Sequence, residues 1–313
     1  MPFSRLSALS KLGNLGADVV GFAALEADRQ LAVLTTDPVK LAVYPLTGSG
    51  SKIISVSLPE ASDVALLDKM VAVVRSGDDL WALLNIKHTA KMEKVGRDIR
   101  GLYACPSGGS AFAIGWDGQG AELQVQGNEV GGRQFVLRGD VRGCDVGIDA
   151  TYVTIKSEGG GKFRAHPGKT PESGAAGRAD LPAEAGDLDQ LAGGPDLSVA
   201  YRKGGSSVCV IRRVGAGAFE AKMVSLESSV VAVAVNSTSM FTAMSDGTLQ
   251  LYNGNTLHRA SMAPTDPTHT LDLRGAGTPT CLIATSKGGN RVFVGTRDGD
   301  VLRCEAAKGD MSL

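Results

Sequence analysis

Histidine and cysteine are scarce in this chain, and their scarcity excludes several kinds of site. Four histidines and five cysteines occur among 313 residues, and no two cysteines have the CxxC spacing of a structural zinc site. The cysteines are odd in number and far apart, which favours reduced, buried thiols over a disulfide framework. Scattered histidines also argue against a nucleophilic triad. The sequence therefore predicts no catalytic residue, no metal ligand and no cofactor.

Long apolar runs and net charge are also lacking. No stretch approaches the roughly 18 apolar residues that cross a membrane, and the N-terminal residues lack the apolar core of a secretory signal. The 32 basic and 33 acidic residues leave a formal net charge of -1, whereas a general nucleic-acid binder would be basic. We expect a cytoplasmic protein without a transmembrane segment, for which nucleic acid is an unfavoured partner.

Long helical periodicity is absent as well, and short alternating runs take its place. The stretch MFTAMSDGTLQLYNG, residues 240–254, has two runs of alternating hydrophobicity joined by Ser245-Asp246-Gly247. Alternation with a Gly-containing turn is typical of a β-hairpin. With 41 glycines and 5% aromatic residues, the chain favours many turns between strands built from small aliphatic side chains.

The hairpin pattern recurs along the chain. Seven stretches show it, and their starts are 40 to 51 residues apart, at Leu31, Val71, Ala111, Tyr152, Val199, Phe241 and Val292. A second landmark, Asp followed by an aliphatic residue, precedes the first five hairpins by 8 to 13 residues, as in Asp18-Val19 and Asp140-Val141. A further alternating run, such as residues 52–58, follows many of the hairpins. Each repeat therefore predicts a four-stranded antiparallel sheet that must bury its faces against its neighbours.

Radial packing of such sheets predicts an all-β fold: a seven-bladed β-propeller of four-stranded antiparallel blades in one domain, residues 1–313. The last repeat ends soon after its third strand, so we expect the N-terminal segment to supply the missing outer strand and close the ring. Residues 166–187 and 254–279 are predicted to be inserted loops, the first with a short strand near residues 177–183. The predicted blades, with the N-terminal strand last, are residues 15–60, 61–96, 97–139, 140–185, 186–227, 228–271, 272–313 and 1–14.

At this point the chain resembles the WD40 family. Residues 245–253, SDGTLQLYN, and residues 297–301, RDGDV, are similar to the strand-turn-strand motif of its blades, and Trp116-Asp117-Gly118 repeats the turn. The Gly-His and Trp-Asp dipeptides of the family are missing, which removes the full set of residues for its bracing hydrogen-bond network. The resemblance implies a rigid disc that binds other proteins, most often on the face of the turns that join each blade's second and third strands.

Candidate contact residues lie in or beside these turns. Trp116 falls in a turn, where a large aromatic side chain would be exposed and could anchor a partner. Trp81, in contrast, lies within a strand and is predicted to be in the core. Cationic residues near the turns would form a basic face for an acidic segment: Arg75, Lys156, Arg202, Lys203 and Arg297.

Two more arginines occupy matching places in predicted innermost strands. Arg100 and Arg142 should line a central channel, and Asp98 and Asp140 are close enough in sequence to neutralise them.

These observations favour a non-enzymatic interaction scaffold, a propeller subunit that holds one or more partner proteins in a larger cytosolic assembly. One alternative is a propeller enzyme, or a binder of a small ligand or metal, that uses the central channel. A further alternative is recognition of anionic lipid or nucleic acid by the basic face, which salt would weaken strongly.

Overall fold

The computed structural model is an all-β protein. It describes residues 3–47, 50–105, 109–136, 140–146, 152–157, 161–166, 177–194, 196–236, 239–259, 264–285 and 290–308. These contain 29 β-strands, one short helix, α1 (Gly254–Arg259), and two 3-10 turns. No helix in the described ranges is long and apolar enough to cross a membrane.

The N-terminal segment forms two short strands, β1 (Phe3–Leu6) and β2 (Ser10–Asn14). The next three sets of strands each form a four-stranded antiparallel sheet. The first sheet consists of β3 (Val19–Leu25), β4 (Gln30–Thr35), β5 (Lys40–Pro45) and β6 (Lys52–Ser55). The second consists of β7 (Asp63–Leu66), β8 (Val71–Ser76), β9 (Asp79–Leu84) and β10 (Lys91–Gly96). The third consists of β11 (Ile99–Ala104), β12 (Ala111–Gly115), β13 (Gln119–Gln126) and β14 (Glu129–Val136).

Two further sets of four strands join into one eight-stranded sheet, through a single parallel pair between Arg178 and Ala218. The first set is β15 (Val141–Val146), β16 (Tyr152–Lys156), β17 (Lys162–His166) and β18 (Gly177–Asp180). The second is β19 (Gln190–Ala192), β20 (Leu197–Tyr201), β21 (Ser207–Gly215) and β22 (Ala218–Ser225). Strand β18 lies within residues 166–187, where the sequence predicts a short strand, while residues 167–176 lie outside the described ranges.

The sixth set is again a four-stranded antiparallel sheet. It consists of β23 (Val230–Asn236), β24 (Ser239–Met244), β25 (Thr248–Tyr252) and β26 (His269–Asp272). The interpretation of residues 254–279 as an inserted loop is therefore wrong, because this segment carries both α1 and β26. Strand β26 pairs with β25 and completes the sheet.

The last sheet contains both ends of the described chain. It combines β27 (Pro279–Thr285), β28 (Arg291–Thr296) and β29 (Asp300–Lys308) with β1 and β2. Strand β2 pairs antiparallel with the first half of β29, where Asn14 is opposite Asp300, and β1 pairs with the second half, where Leu6 is opposite Ala306. The N-terminal segment thus covers the edge of the last strand, as the sequence predicts.

The seven sets of strands pack in a cyclic order. The first strand of each set contacts the first strand of the next, from β3 through β7, β11, β15, β19 and β23 to β27, and β27 contacts β3. Seven hydrophobic clusters of described residues lie between successive sets, and the last of them packs Phe293 and Val301 against Val33 and Tyr44 of the first sheet. The core is therefore divided among the interfaces between the sheets.

Candidate partner-binding site

The turns between second and third strands are fixed by local hydrogen bonds. In the turn after β12, the Asp117 carboxylate accepts a hydrogen bond from the Gln119 amide (2.9 Å), and Gly118 takes the positive φ of 77° that the tight turn requires. Asp246 makes the same contact with the Thr248 amide at 3.0 Å. These two aspartates are thus turn residues, as the sequence predicts.

Trp116 begins the first of these turns, and its side chain faces outward. The side chain is 65% exposed, and its indole N–H donates to a carboxylate oxygen of Asp78 in the neighbouring sheet at 3.1 Å. A large ring in this position offers an apolar surface beside a polar contact, which suits a residue that contacts a partner. Trp81, predicted to be in the core, is instead only partly buried, with the Lys94 ammonium 6.0 Å from its ring centroid.

Four of the predicted contact residues share one cavity. We define the outer cavity, of about 570 Å³, by Trp116 and three arginines together with three aspartates: Arg75, Arg100, Arg142, Asp63, Asp140 and Asp189. The guanidinium and carboxylate groups are equal in number, so this cavity is not basic as a whole. Of the five cations predicted to form a basic face, only Arg75 lines this cavity.

A register shift that recurs in the first strands orients the side chains of Arg100 and Arg142. The register shifts between Ile99 and Gly101 and again between Val141 and Gly143, so that Arg100 and Arg142 occupy matching bulged positions. Strands β3, β23 and β27 shift at the equivalent place. A β-bulge redirects the side chain of the extra residue, which explains why these two guanidinium groups reach the neighbouring set of strands.

The hydrogen bonds of these arginines differ from the prediction. Arg100 donates to the Val141 carbonyl of the next set, and Arg142 donates to the Gly186 carbonyl in the connection between β18 and β19. Neither pairs with Asp98 or Asp140 in the described structure, and Asp140 instead accepts a hydrogen bond from the Ser157 hydroxyl at 2.9 Å. The expected neutralisation by Asp98 and Asp140 is therefore wrong.

The three arginines of the outer cavity have different freedom to contact a ligand. Arg75 forms an ion pair with Asp63 and donates to the Gly77 carbonyl at 2.8 Å, so its charge is already balanced. Arg142, in contrast, has two buried N–H groups, at Nε and Nη2, without an acceptor among the described residues. An unpaired guanidinium favours an anionic group nearby, because buried charge is costly without a partner.

The remaining predicted cations lie outside the outer cavity. Arg202 forms an exposed ion pair with Asp187 at 3.0 Å, and Lys156 ends β16. Lys203 and Arg297 lie near Asp18: burial raises the pKa of that carboxyl, while these two cations oppose the rise. The sequence patterns thus bring together Trp116, Arg75, Arg100 and Arg142, and leave the other four cations elsewhere.

A second cavity lies deeper between the first strands of the sheets. This inner cavity, of about 280 Å³, is lined by residues of all seven first strands, and it shares Asp63, Leu102 and Tyr103 with the outer cavity. Asp145 on β15 faces it, and burial raises the pKa of this carboxyl to about 7 although two backbone amides donate to it. The sequence analysis did not identify Asp145. The signal that could have found it is the alignment of β15 with β11, in which Asp145 occupies the position of Tyr103.

Metal-binding geometry is not found in the described part of the chain, where no three His, Cys, Asp or Glu residues converge. All five cysteines are free thiols, and burial raises the pKa of Cys209, Cys281 and Cys304 to about 12. No protein-family model matches the sequence, and no curated protein matches it either.

Proposed function

We propose that this chain is a seven-bladed β-propeller, similar to the WD40 family, that serves as a non-enzymatic platform for partner proteins. The propeller is supported by the cyclic contacts of the seven first strands and by the seven hydrophobic clusters between successive sets. In this arrangement the eight-stranded sheet comprises two blades whose strands pair at one residue pair, Arg178 with Ala218. The N-terminal strands complete the last blade and leave no open edge between the first and last sheets.

The observation that carries the binding proposal is the exposed Trp116 at the rim of the outer cavity. Energetically important interface residues are enriched in Trp and Arg and lie beside pockets that exclude water. Trp116 supplies the exposed ring, and Arg100 and Arg142 supply guanidinium groups that form no ion pair with a carboxylate of the described residues. The partner that fits best is a protein segment with an apolar side chain for Trp116 and an acidic side chain for the arginines.

The test compares proteins captured from native lysate by tagged wild type and by Trp116→Ala. The substitution removes an exposed ring, so the fold should survive, while a partner that uses this ring should lose about 30-fold in affinity. The matched control is Val214→Ala, because Val214 is 54% exposed and lies at the far end of β21 from the turn that carries Lys203.

Partners lost with Trp116→Ala and kept with Val214→Ala would support the site, and capture should weaken as salt is raised because guanidinium–carboxylate contacts contribute. If both variants capture the same partners as wild type, Trp116 is not the contact. Charge reversal of Arg75 is a poor test, because it would place a carboxylate beside Asp63 and disturb the fold.

A further inference from the structure

Asp145 is held rigidly with its carboxylate toward the inner cavity. The Gly193 amide donates to Oδ2 at 2.6 Å and the Val146 amide donates to Oδ1 at 2.8 Å. A Cβ atom at Gly193 would lie 2.5 Å from Cγ2 of Val153, so glycine after β19 permits its close approach to Val153 of β16. Both oxygens are thereby fixed in place while each keeps a lone pair for another donor.

The walls of the inner cavity offer no positive charge to this carboxylate. None of the described residues that line it is Lys, Arg or His, and Asp63, its other carboxylate, is paired with Arg75. The remaining titratable groups are Tyr103 on β11, Tyr201 on β20 and Cys281 on β27, and burial raises the pKa of each. These three groups are neutral near pH 7, so Asp145 is the single unbalanced charge of the cavity when it is ionised.

Apolar side chains form part of the remaining wall, and the space is large enough for a small molecule. Val20, Phe22, Val64, Leu102 and Ile283 line the space. Its volume, about 280 Å³, is close to the lower end of the range of known ligand sites, which is about 300 Å³. Asp63, Leu102 and Tyr103 line both cavities, so the two spaces adjoin one another.

We propose that the inner cavity binds a small organic monoamine, whose ammonium group pairs with Asp145 and whose apolar body packs against the aliphatic wall. Tyr103 and Tyr201 line the same space, and a tyrosine hydroxyl is able to accept an ammonium N–H bond. A divalent cation fits less well, because Mg²⁺ and Ca²⁺ need several oxygen ligands and the cavity has one unpaired carboxylate. This proposal is independent of Trp116 and of any protein partner.

The pH dependence of amine binding is a direct consequence. Burial raises the pKa of Asp145 to about 7, so roughly one tenth of the protein carries the carboxylate at pH 6 and roughly nine tenths at pH 8. An ammonium ligand binds the ionised form, and its apparent affinity follows the fraction of that form. The affinity for an amine should therefore increase about tenfold from pH 6 to pH 8. The affinity for a neutral ligand should not increase over this range.

Calorimetric titration with benzylamine, and with benzyl alcohol as a neutral ligand of the same shape, tests the proposal. Wild type should bind benzylamine at pH 8 at least tenfold more tightly than benzyl alcohol, and the preference should shrink at pH 6. Asp145→Asn should abolish the preference for the amine. Asp180→Asn, at an exposed position of β18 outside the cavity, should leave it unchanged.

Three results would overturn the proposal: no binding of either ligand, equal binding of amine and alcohol, or amine binding that is the same at both pH values. Amine binding that survives Asp145→Asn would place the ligand at another site and overturn it too. If Asp145→Asn does not fold, the comparison of the two ligands on wild type at two pH values still decides.

Discussion

At the scale of single residues, the charged groups that matter most are those whose partners are missing. Arg75 and Asp63 satisfy one another, whereas Arg142 and Asp145 retain groups without a partner of opposite charge among the described residues. Both lie on β15, three residues apart, and Arg142 lines the outer cavity while Asp145 lines the inner cavity. Unbalanced charge costs stability, and a fold keeps it most readily where binding compensates.

Asp145 gives the first prediction, on the pH dependence of stability. Burial raises the pKa of Asp145 to about 7, so the folded protein keeps a proton that the unfolded chain releases near pH 4. Stability is therefore lost as pH rises from about 4 to about 7, by on the order of 4 kcal/mol, and is then constant. Asp145→Asn cannot ionise and should lack this loss.

Urea unfolding of wild type and Asp145→Asn at pH 5 and pH 8 measures the effect. The variant loses one acceptor for a backbone amide and should be the less stable protein at pH 5. At pH 8 it should equal or exceed wild type. A difference in unfolding free energy that is the same at both pH values would show that Asp145 is ionised throughout.

Residue roles were only partly predictable from the sequence. The exposure of Trp116 followed from its turn, because a Gly-containing turn leaves little room for burial. The partial exposure of Trp81 was not predictable. Apolar residues are consecutive in β9, as Leu80-Trp81-Ala82, so the pattern does not show which of them face the core. The partners of Arg100 and Arg142 could not be read either, since a bulge moves the side chain away from its neighbours in sequence.

At the scale of elements, the aspartate that precedes many first strands acts through its backbone. The carbonyl of Asp98 accepts a hydrogen bond from the Trp116 amide, and Asp18 and Asp140 accept in the same way from the residues that begin their own turns. Ser229 and Thr278 do the same where aspartate is missing. This backbone hydrogen bond fixes the number of residues between the landmark and its hairpin turn. It does not involve the side chain, so residues other than aspartate can occupy the position.

The turn that carries Trp116 gives an element-scale prediction. Asp117→Ala removes the acceptor for the Gln119 amide and should lower the unfolding free energy by about 1 kcal/mol. Asp117→Asn retains an oxygen at the same place and should lose less than half of that. Denaturant unfolding of the two variants side by side measures the effect, and equal losses would show that the carboxylate oxygen does not stabilise the turn.

Element boundaries were predictable where a hairpin turn is short. Strands β24 and β25 flank Ser245-Asp246-Gly247, as their alternation indicates. Strand β26 was missed because its four residues lie far along the chain from β25, with α1 between them. A strand of four residues shows too little alternation of polar and apolar residues to be recognised in the sequence. Its pairing also depends on the edge of β25, which exists only in the folded sheet.

At the scale of the whole molecule, most of the core lies between the sheets. Each hydrophobic cluster joins two sets of strands, so that a sheet taken alone would expose apolar side chains on both faces. Such a structure gains cooperativity only when its sets are held next to one another. The contact between β27 and β3 and the pairing of β29 with β1 and β2 bring distant parts of the chain together.

Removal of residues 1–14 tests how much this meeting contributes. The truncation removes two strands, the side chains of Phe3 and Leu6, which are 4% and 2% exposed, and the ion pair of Lys11 with Asp300. Each buried side chain contributes roughly 2 kcal/mol, and the lost backbone pairing leaves the edge of β29 open. The melting temperature should fall by more than about 10 °C, and the truncated protein should aggregate more readily.

The matched control is the double variant Phe3→Ala and Leu6→Ala, which removes the side chains and keeps the backbone pairing. It should be less stable than wild type and more stable than the truncated protein, because the strands still cover β29. A synthetic peptide of residues 1–14 added to the truncated protein should restore much of the lost melting temperature, since the register with β29 is set by the pairs of Asn14 with Asp300 and Leu6 with Ala306. If truncation leaves the melting temperature unchanged, the N-terminal strands do not stabilise the last sheet, and the contacts of β27 and β28 with β3, with the packing of Phe293 and Val301 on Val33 and Tyr44, suffice to join the first and last sheets.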